Sequence, residues 1–169
     1  IRKVAIGLSG GIDSAVTAAL AARALGPSAV IGVGMPSRYT SPESRRDSRE
    51  LAENLGIVWH EVAIDDVFDA HSRAAEGLFG GRPGGLTEEN LQARIRGAIL
   101  MSVSNSVGAL VLNTGNKSEL ATGYCTLYGD MVGGLAVLGD LTKDRVYAVA
   151  RELNRGATLI PQYTIDRAP

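Results

Sequence analysis

The chain has 169 residues, of which 45% are hydrophobic and 21% are charged, and its formal net charge is −1. This size and composition suit one domain with a substantial hydrophobic core and argue against two domains. Because acidic and basic residues are interspersed, we predict neither a nucleic-acid partner nor a membrane partner. The single cysteine excludes an internal disulfide framework, and no apolar run reaches about 18 residues, so we predict a cytoplasmic protein.

Short apolar runs of strand length alternate with segments of helical period along the chain. In chain order we predict a strand at residues 4–8, a helix at 14–25, a strand at 29–35, a helix at 41–56, a strand at 58–64, helices at 66–75 and 87–105, a strand at 109–112 and a helix at 142–154. Apolar strands separated by helices are typical of parallel crossovers that cover both faces of a sheet. The predicted fold class is therefore α/β, a doubly wound parallel sheet with helices on both faces in a single domain.

Residues with known capping preferences mark the ends of the predicted helices. Ser41 is expected to cap the second helix, with Pro42 in its first turn. Gly26 and Gly56 are expected to end the first and second helices in a left-handed conformation, which glycine adopts without steric cost. Thr87 is predicted to cap the long fourth helix.

The first predicted strand runs directly into Ser-Gly-Gly-Ile-Asp-Ser at residues 9–14. A strand that turns into a helix through two glycines directs free backbone N–H groups and the positive end of the helix dipole at one point, which favours phosphate. Ser9 and Ser14 can add hydroxyl donors to the same point. An aspartate repels bare phosphate, so Asp13 indicates a bridging divalent cation such as Mg²⁺.

Two common phosphate-binding loops do not match this stretch. The P-loop of nucleoside triphosphatases ends in Gly-Lys-Ser or Gly-Lys-Thr, and residues 9–14 contain no lysine. The dinucleotide fingerprint is G-x-G-x-x-G, whereas residues 7–12 read Gly-Leu-Ser-Gly-Gly-Ile. The alternative is a tight turn in which Ser or Asp caps the helix, but a cap explains one polar residue rather than two serines and an aspartate.

The Ser-Gly-Gly-Ile-Asp-Ser loop resembles the pyrophosphate-binding loop of the ATP pyrophosphatases, which cleave ATP to AMP and pyrophosphate while adenylating a substrate. Residues 112–143, LNTGNKSELATGYCTLYGDMVGGLAVLGDLTK, are similar to the signature of the NAD synthetase family. Residues 35–41, 89–97 and 160–169 fit the same family in the same order. The resemblance covers essentially the whole chain and looks closest to the synthetase domain of glutamine-dependent members.

This resemblance implies ATP-dependent amidation of deamido-NAD (nicotinate adenine dinucleotide) to NAD. In the family's reaction the nicotinate carboxylate attacks the α-phosphorus of ATP, pyrophosphate leaves, and ammonia displaces AMP from the acyl-adenylate. Another adenylating amidotransferase of the same superfamily and a non-catalytic ATP-binding module remain alternatives, against which residues 112–143 argue. Family members usually have a helix before the first strand and a further C-terminal segment, so we expect residues 1–169 to be a synthetase domain lacking both.

The resemblance also implies partners for the chain. The family is homodimeric, and the long helix around residues 88–106 is the candidate contact. Ammonia is the implied nitrogen donor, and in glutamine-dependent members a separate glutaminase domain supplies it. Glutaminase chemistry needs an activated nucleophile, and the one cysteine, Cys125, lies within the synthetase-like stretch instead. We therefore predict no glutaminase activity in this chain.

The resemblance implies the following roles for individual site residues. The catalytic residues are Asp13 and Lys143. The residues that bind ATP are Ser9, Gly10, Gly11, Asp13, Ser14, Thr114 and Lys143. The residues that bind deamido-NAD are Arg94, Asp130 and Lys143, and the Mg²⁺ ligands are Asp13 and Glu119.

Structural alternatives stay open for some of these residues. Glu119 can be a first-turn residue of a short helix capped near residues 116–118, and Thr114 can be a simple turn residue. Lys143 can be solvated, although a lysine in a first helical turn opposes the helix dipole and is unfavourable without a nearby anion. Arg96 lies two positions beyond Arg94, off the same helical face, and is interpreted as structural.

Overall fold

The computed structural model describes residues 2–81 and 84–167. The two ends of the predicted 1–169 domain, including the final Ala-Pro of the C-terminal motif, lie outside the described residues. Within the described part the strands of one parallel sheet are β1 (Val4–Leu8), β2 (Val30–Gly34), β3 (Val58–Glu61), β4 (Leu110–Asn113) and β5 (Leu135–Ala136).

Helices connect these strands and cover the sheet. They are α1 (Ile12–Leu25), α2 (Pro42–Leu55), α3 (Asp65–Ala74), α4 (Glu76–Phe79), α5 (Leu86–Val107), α6 (Lys117–Thr122), α7 (Lys143–Leu153) and α8 (Gln162–Asp166), with a short 3₁₀ helix at Pro27–Ala29. In the described part of the chain, no helix combines the length and the apolar character needed to cross a membrane.

The strand order is β3-β2-β1-β4-β5, and each neighbouring pair is parallel. From β1 the chain first builds the sheet in one direction, through β2 and β3, and then returns to the other side of β1 to add β4 and β5. In a sheet of this kind a crevice opens beyond the carboxyl ends of the strands where the direction reverses. The fold therefore places a crevice after β1 and β4.

Both faces of the central strand, β1, are buried in hydrophobic cores. Val4, Ile6 and Leu8 point to a core shared with α1, α2 and α7, whereas the intervening Ala5 belongs to a second core with α3 and α5. Successive strand residues point to opposite faces, so a strand covered on both sides must be apolar throughout. This confirms the predicted doubly wound α/β class.

The predicted strands and helices are confirmed with ends shifted by up to three residues, whereas the short helices α4 and α8 were not predicted. Three further details differ. Helix α5 begins at Leu86 after Gly85, which has a φ of 56°, so the predicted cap by Thr87 is wrong. Gly26 has a positive φ of 86° but a ψ of 148°, which is not the left-handed helical conformation predicted for it. Strand β5 was not predicted, because two residues are too few to show a period.

The caps of α2 follow the prediction. The Ser41 hydroxyl accepts a hydrogen bond from the Ser44 N–H at 3.1 Å, and Pro42 occupies the first turn. Gly56 ends the helix with φ 64° and ψ 27°, in the left-handed region. The local sequence therefore determines both ends of α2, and residues of this helix line one side of a cleft described below.

Thr17 is a polar residue on the buried side of α1. Its side chain is fully buried, and its hydroxyl has no hydrogen-bond partner among the described residues. Thr164 is a useful contrast, because it is equally buried but its hydroxyl donates to Asp47 Oδ2 at 3.2 Å.

We expect Thr17→Val to stabilise the protein by about 1 kcal/mol, because it replaces an unsatisfied buried hydroxyl with a methyl group of similar shape. The matched substitution Thr164→Val should instead destabilise by about 1–2 kcal/mol, because it leaves a buried carboxylate oxygen without its donor. Chemical denaturation of both variants measures the two changes. A loss of stability in Thr17→Val would contradict the assignment of its hydroxyl as unsatisfied.

Candidate active site

Two adjoining clefts open at the carboxyl ends of β1, β2 and β4. The larger cleft, of about 380 Å³, lies between the ends of β1 and β2 and helix α5. The smaller cleft, of about 180 Å³, lies between residues 9–14, the segment after β4 and the first turn of α6. Both clefts are lined by Ser9, Thr114 and Asp130. The clefts thus meet at the crevice where the sheet order reverses.

The loop after β1 brings hydrogen-bonding groups into the smaller cleft. The Gly11 N–H donates to Ser9 Oγ at 3.2 Å, the two hydroxyl oxygens of Ser9 and Ser14 are 3.3 Å apart, and the Ser14 hydroxyl donates to the Gly11 carbonyl at 3.0 Å. Helix α1 begins here with no side chain capping it. An uncapped first turn beside two hydroxyls is suited to an anion.

Gly10 is the residue that lets this loop approach α2. Its φ is +79°, and a Cβ built on it would lie 2.4 Å from the carbonyl oxygen of Ser44. Both the backbone conformation and the contact exclude a side chain. The loop is therefore held against the first turn of α2 by direct backbone packing.

The carboxylate of Asp13 is held by two groups from distant parts of the chain. Lys143 Nζ lies 2.5 Å from Oδ2, and the Asn116 side-chain amide donates to Oδ1 at 2.9 Å. Asn116 is fully buried, while the side chains of Asp13 and Lys143 are 17% and 28% exposed. These contacts bring the first turns of α1, α6 and α7 together around the smaller cleft.

Asn116 has a second role as the cap of α6. Its Oδ1 accepts from the Glu119 N–H at 3.0 Å, and Glu119 Oε2 accepts from the Asn116 N–H at 3.0 Å, which is a reciprocal capping box. Glu119 is therefore a first-turn residue of a short capped helix, as the structural alternative for it predicted. Glu119 also lines the smaller cleft, so the cap does not remove it from the site, and its assignment to a metal stays a prediction.

The environment of Glu119 disfavours its charge. Burial raises the pKa of its carboxyl above the ordinary value, the hydrogen bond from Asn116 opposes this shift, and the negative charge of Asp13 adds to it. The nearby Lys143 ammonium partly offsets the effect. The cleft thus keeps a second carboxyl close to Asp13 at a cost in stability, which a bound cation would relieve.

Lys143 is the first residue of α7, as predicted. Its N–H donates to Ser118 Oγ at 3.1 Å, so the cap of α7 comes from α6 rather than from Thr142, whose hydroxyl donates to the Asp144 carboxylate. The ammonium opposes the helix dipole, and Asp13 is the anion that compensates it. The solvated alternative for Lys143 is not what the structure shows.

Asp130 is held on a loop that packs closely on α5. Its Oδ1 accepts from the Thr126 N–H at 2.8 Å, and its carbonyl accepts from the Asn113 side chain at 3.0 Å. A Cβ on Gly97 of α5 would lie 3.0 Å from the Tyr128 carbonyl oxygen, so the loop rests directly on the helix backbone. The predicted substrate-contacting position of Asp130 therefore lies at the junction of the two clefts.

The two arginines of α5 differ from expectation in their placement. Arg94 is exposed, its Nε donates to the Leu127 carbonyl at 3.2 Å, and it lies outside the lining of both clefts. Arg96 lines the larger cleft, where its Nε donates to the Met35 carbonyl at 3.0 Å and burial lowers its pKa. A structural hydrogen bond is present, but Arg96 also faces the cleft.

Sequence reasoning missed the position of Arg96 in the larger cleft and the contact of Asn116 with Asp13. Residues 93, 96, 97 and 100 share one helical face, and all of them line the larger cleft. Asn116 precedes Glu119 by three positions, which is the spacing of a capping box. The contact of Asn116 with Asp13 has no local signature.

Comparison with known proteins agrees with this geometry. The family model described as NAD synthase matches residues 1–169. The glutamine-dependent NAD(+) synthetase of Thermotoga maritima is 54% identical over 99% of the chain, which spans only 30% of that relative's length. A structure of glutamine-dependent NAD+ synthetase from Acinetobacter baumannii in complex with adenosine diphosphate (ADP) is 47% identical, with a TM-score of 0.94 over 99% of this chain and 32% of that one.

A second similar structure belongs to a protein named for a different product. NMN synthetase from Francisella tularensis is 29% identical, with a TM-score of 0.90 over 99% of this chain and 66% of that one. The family match extends over the full sequence and the predicted resemblance is confirmed. The chain belongs to the NAD synthase family.

Proposed function

We propose that this chain binds ATP across the two clefts and catalyses the ATP-dependent amidation of deamido-NAD to NAD through an acyl-adenylate, with release of AMP and pyrophosphate. The observation that carries the proposal is the junction at Ser9, Thr114 and Asp130, where the larger and more apolar cleft meets the smaller cleft beside the phosphate-type loop. A nucleoside triphosphate needs one surface for its nucleoside and another for its phosphates. The reacting α-phosphorus would lie at the junction.

The larger cleft suits the nucleoside part of ATP. Most of its wall area is apolar, as in small-molecule sites that bury a planar ring, and charged side chains such as Arg45, Glu61 and Arg96 line part of the rest. Its apolar side chains are Leu8, Met35, Pro36, Leu100, Leu112 and Val132. The smaller cleft suits the phosphates, because Gly11, Ser9 and Ser14 line it with a backbone N–H and two hydroxyls. Lys143 lies outside its lining but is paired with Asp13, which does line it.

The names of the relatives support the same reaction. The curated relative is a glutamine-dependent NAD(+) synthetase, and a similar structure contains ADP. Because the chain spans about 30% of that relative's length, the activity of the intact protein is part of the proposal. The ADP in that similar structure supports the proposal that this chain binds an adenine nucleotide.

Asp13 and Glu119 fit the Mg²⁺ site that ATP chemistry requires. Among the described residues, no three or more His, Cys, Asp or Glu side chains are grouped to hold a metal by themselves. Mg²⁺ usually takes one or two carboxylates and completes its shell with water and phosphate oxygens, so a carboxylate pair beside a phosphate loop is suitable. When bound, Mg²⁺ would supply positive charge to the departing pyrophosphate.

Lys143 is proposed to act on charge that develops during adenylation. Its ammonium is fixed beside Asp13 at the edge of the smaller cleft, within reach of phosphates held by residues 9–14. A preorganised cation in a partly buried site stabilises such charge more strongly than it would in water. The backbone N–H of Gly11 and the Ser9 and Ser14 hydroxyls would bind the pyrophosphate portion.

Deamido-NAD is proposed to enter from the side of the 124–134 loop. Asp130 lies at the junction, Lys143 approaches from α7, and Arg94 holds this loop through the Leu127 carbonyl. In the family context we also propose a homodimer that uses α5. Ammonia is the proposed nitrogen donor, supplied by a glutaminase domain of the intact protein.

A second candidate acceptor is nicotinate mononucleotide, the deamidated counterpart of NMN. The specific observation in its favour is the likeness to NMN synthetase from Francisella tularensis, with a TM-score of 0.90. Higher identity to the glutamine-dependent NAD(+) synthetases makes deamido-NAD the first choice. Both acceptors present the same nicotinate carboxylate to ATP.

A substrate panel tests this proposal. The purified protein is incubated with ATP, Mg²⁺ and ammonium, and with deamido-NAD, nicotinate mononucleotide or an unrelated carboxylic acid. We expect equal amounts of AMP, pyrophosphate and NAD with deamido-NAD. Preferential use of the mononucleotide would select the second candidate, and ATP binding without turnover of any acceptor would indicate a binding module. Glutamine should not replace ammonium for this chain, even though Cys125 lines the smaller cleft.

The proposed metal ligands give a prediction for catalysis. Asp13→Asn and Glu119→Gln should each lower the rate of pyrophosphate release at least about 100-fold, because each removes a charge that acts where the phosphates react. Asp144→Asn is the matched control, since Asp144 follows Lys143 but bonds Thr142 outside the clefts. Near-normal rates in both site variants would reject the metal assignment.

The raised pKa of Glu119 gives a prediction for stability. Its folded-state pKa lies above the ordinary value of 4.5, so the folded protein holds this proton more tightly than the unfolded chain does. The contribution of Glu119 to the free energy of unfolding is therefore fully present below pH 4.5 and is lost as the pH rises through the folded-state pKa. Without ligands, Glu119→Gln should melt above the wild type at neutral pH, and the difference should shrink as the pH approaches 4.5.

Thermal unfolding midpoints between about pH 4.5 and 8 measure this difference. Glu53→Gln is the control, because Glu53 is exposed on α2 and should give a wild-type profile. A Glu119→Gln difference that does not change with pH would show that titration is not its cause.

A further inference from the structure

The C-terminal segment of the described chain folds back onto the phosphate loop. The Arg167 guanidinium lies between that loop and α2, where Nη1 donates to Ser44 Oγ at 2.9 Å and Nη2 donates to the Gly10 carbonyl at 3.3 Å. These are the two residues whose backbones meet where Gly10 excludes a side chain. One side chain thus spans the contact between the loop and the helix.

Arg167 is itself held firmly. Its guanidinium carbon lies 5.8 Å from the ring centre of Tyr163, and the Tyr147 hydroxyl donates to the Arg167 carbonyl at 3.3 Å. Helix α8, which precedes Arg167, docks on α2 through the bond from Thr164 to the buried Asp47. The guanidinium is therefore presented to the loop from a fixed base.

The bond to the Gly10 carbonyl determines the direction of the next N–H group. In a trans peptide the carbonyl oxygen and the N–H point to opposite sides of the chain. With the Gly10 oxygen held by Arg167, the Gly11 N–H points away from it, and it donates to Ser9 Oγ within the smaller cleft. A peptide between two glycines rotates with little steric resistance. Rotation would turn a carbonyl oxygen toward the phosphates and remove a donor.

We propose that Arg167 is a positioning residue for the phosphate site, which keeps the Gly10–Gly11 peptide oriented with its N–H toward bound phosphate. It acts through the peptide and through Ser44 rather than by touching ATP. The inference rests on the proposed function, because it concerns the ATP phosphates. It assigns to the C-terminal segment a part in ordering a loop that lies at the opposite end of the sequence.

The test compares Arg167→Met with Thr164→Val, which loosens the same docked helix without removing a contact to the loop. Dissociation constants for ATP, pyrophosphate and adenosine are measured by calorimetry, together with the melting temperature of each protein. Arg167→Met should weaken ATP and pyrophosphate about tenfold, equivalent to about 1.4 kcal/mol, and leave adenosine unchanged. Thr164→Val should melt lower than the wild type and weaken ATP and pyrophosphate much less than Arg167→Met does, because the Arg167 hydrogen bonds to Gly10 and Ser44 remain.

Arg167→Lys provides a second variant if Arg167→Met does not fold. Lysine keeps the charge and the aliphatic stem but lacks the planar fork that reaches two acceptors at once, so it should show a selective loss for ATP and pyrophosphate. Wild-type affinity for ATP in the folded Arg167 variants, or an equal loss of ATP and adenosine, would overturn the inference. Failure of the wild type to bind ATP would instead reject the proposed function.

Discussion

The site depends on the two interactions of the Asp13 carboxylate, a hydrogen bond and an ion pair. Its two partners, Asn116 and Lys143, lie 103 and 130 positions further along the chain. Through them one partly buried charge joins the first turns of α1, α6 and α7, and the smaller cleft exists only where these turns meet. A charge held this way needs both partners, because leaving it unpaired inside the protein is far costlier than leaving it in water.

Helix α6 shows how little of the site is stable by itself. It has only six residues, and isolated helices of that length do not persist in water. Its order comes from the reciprocal cap and from contacts with the start of α7, where the Lys117 N–H donates to the Leu141 carbonyl at 2.8 Å. Glu119 is therefore held in place by tertiary contacts as much as by its own helix.

The sequence was sufficient for the features that are local. The phosphate-type loop, the caps of α2 and the alternation of strands and helices each have a signature within a few residues, and the family resemblance ordered them along the chain. The placement of Arg96 rather than Arg94 in the lining of the larger cleft depends on the rotation of α5 about its axis, which its weak apolar pattern does not fix. The contact of Arg167 with Gly10 joins residues 157 positions apart, and no local sequence pattern predicts it.

Strand β5 closes one side of the sheet with only two residues, Leu135 and Ala136, paired to Leu112 and Asn113. An outer strand normally presents a row of unpaired backbone groups that another chain can adopt as a template. Here that row is barely one repeat long, although the Leu135 side chain is 54% exposed. The brevity of β5 therefore limits edge-to-edge aggregation.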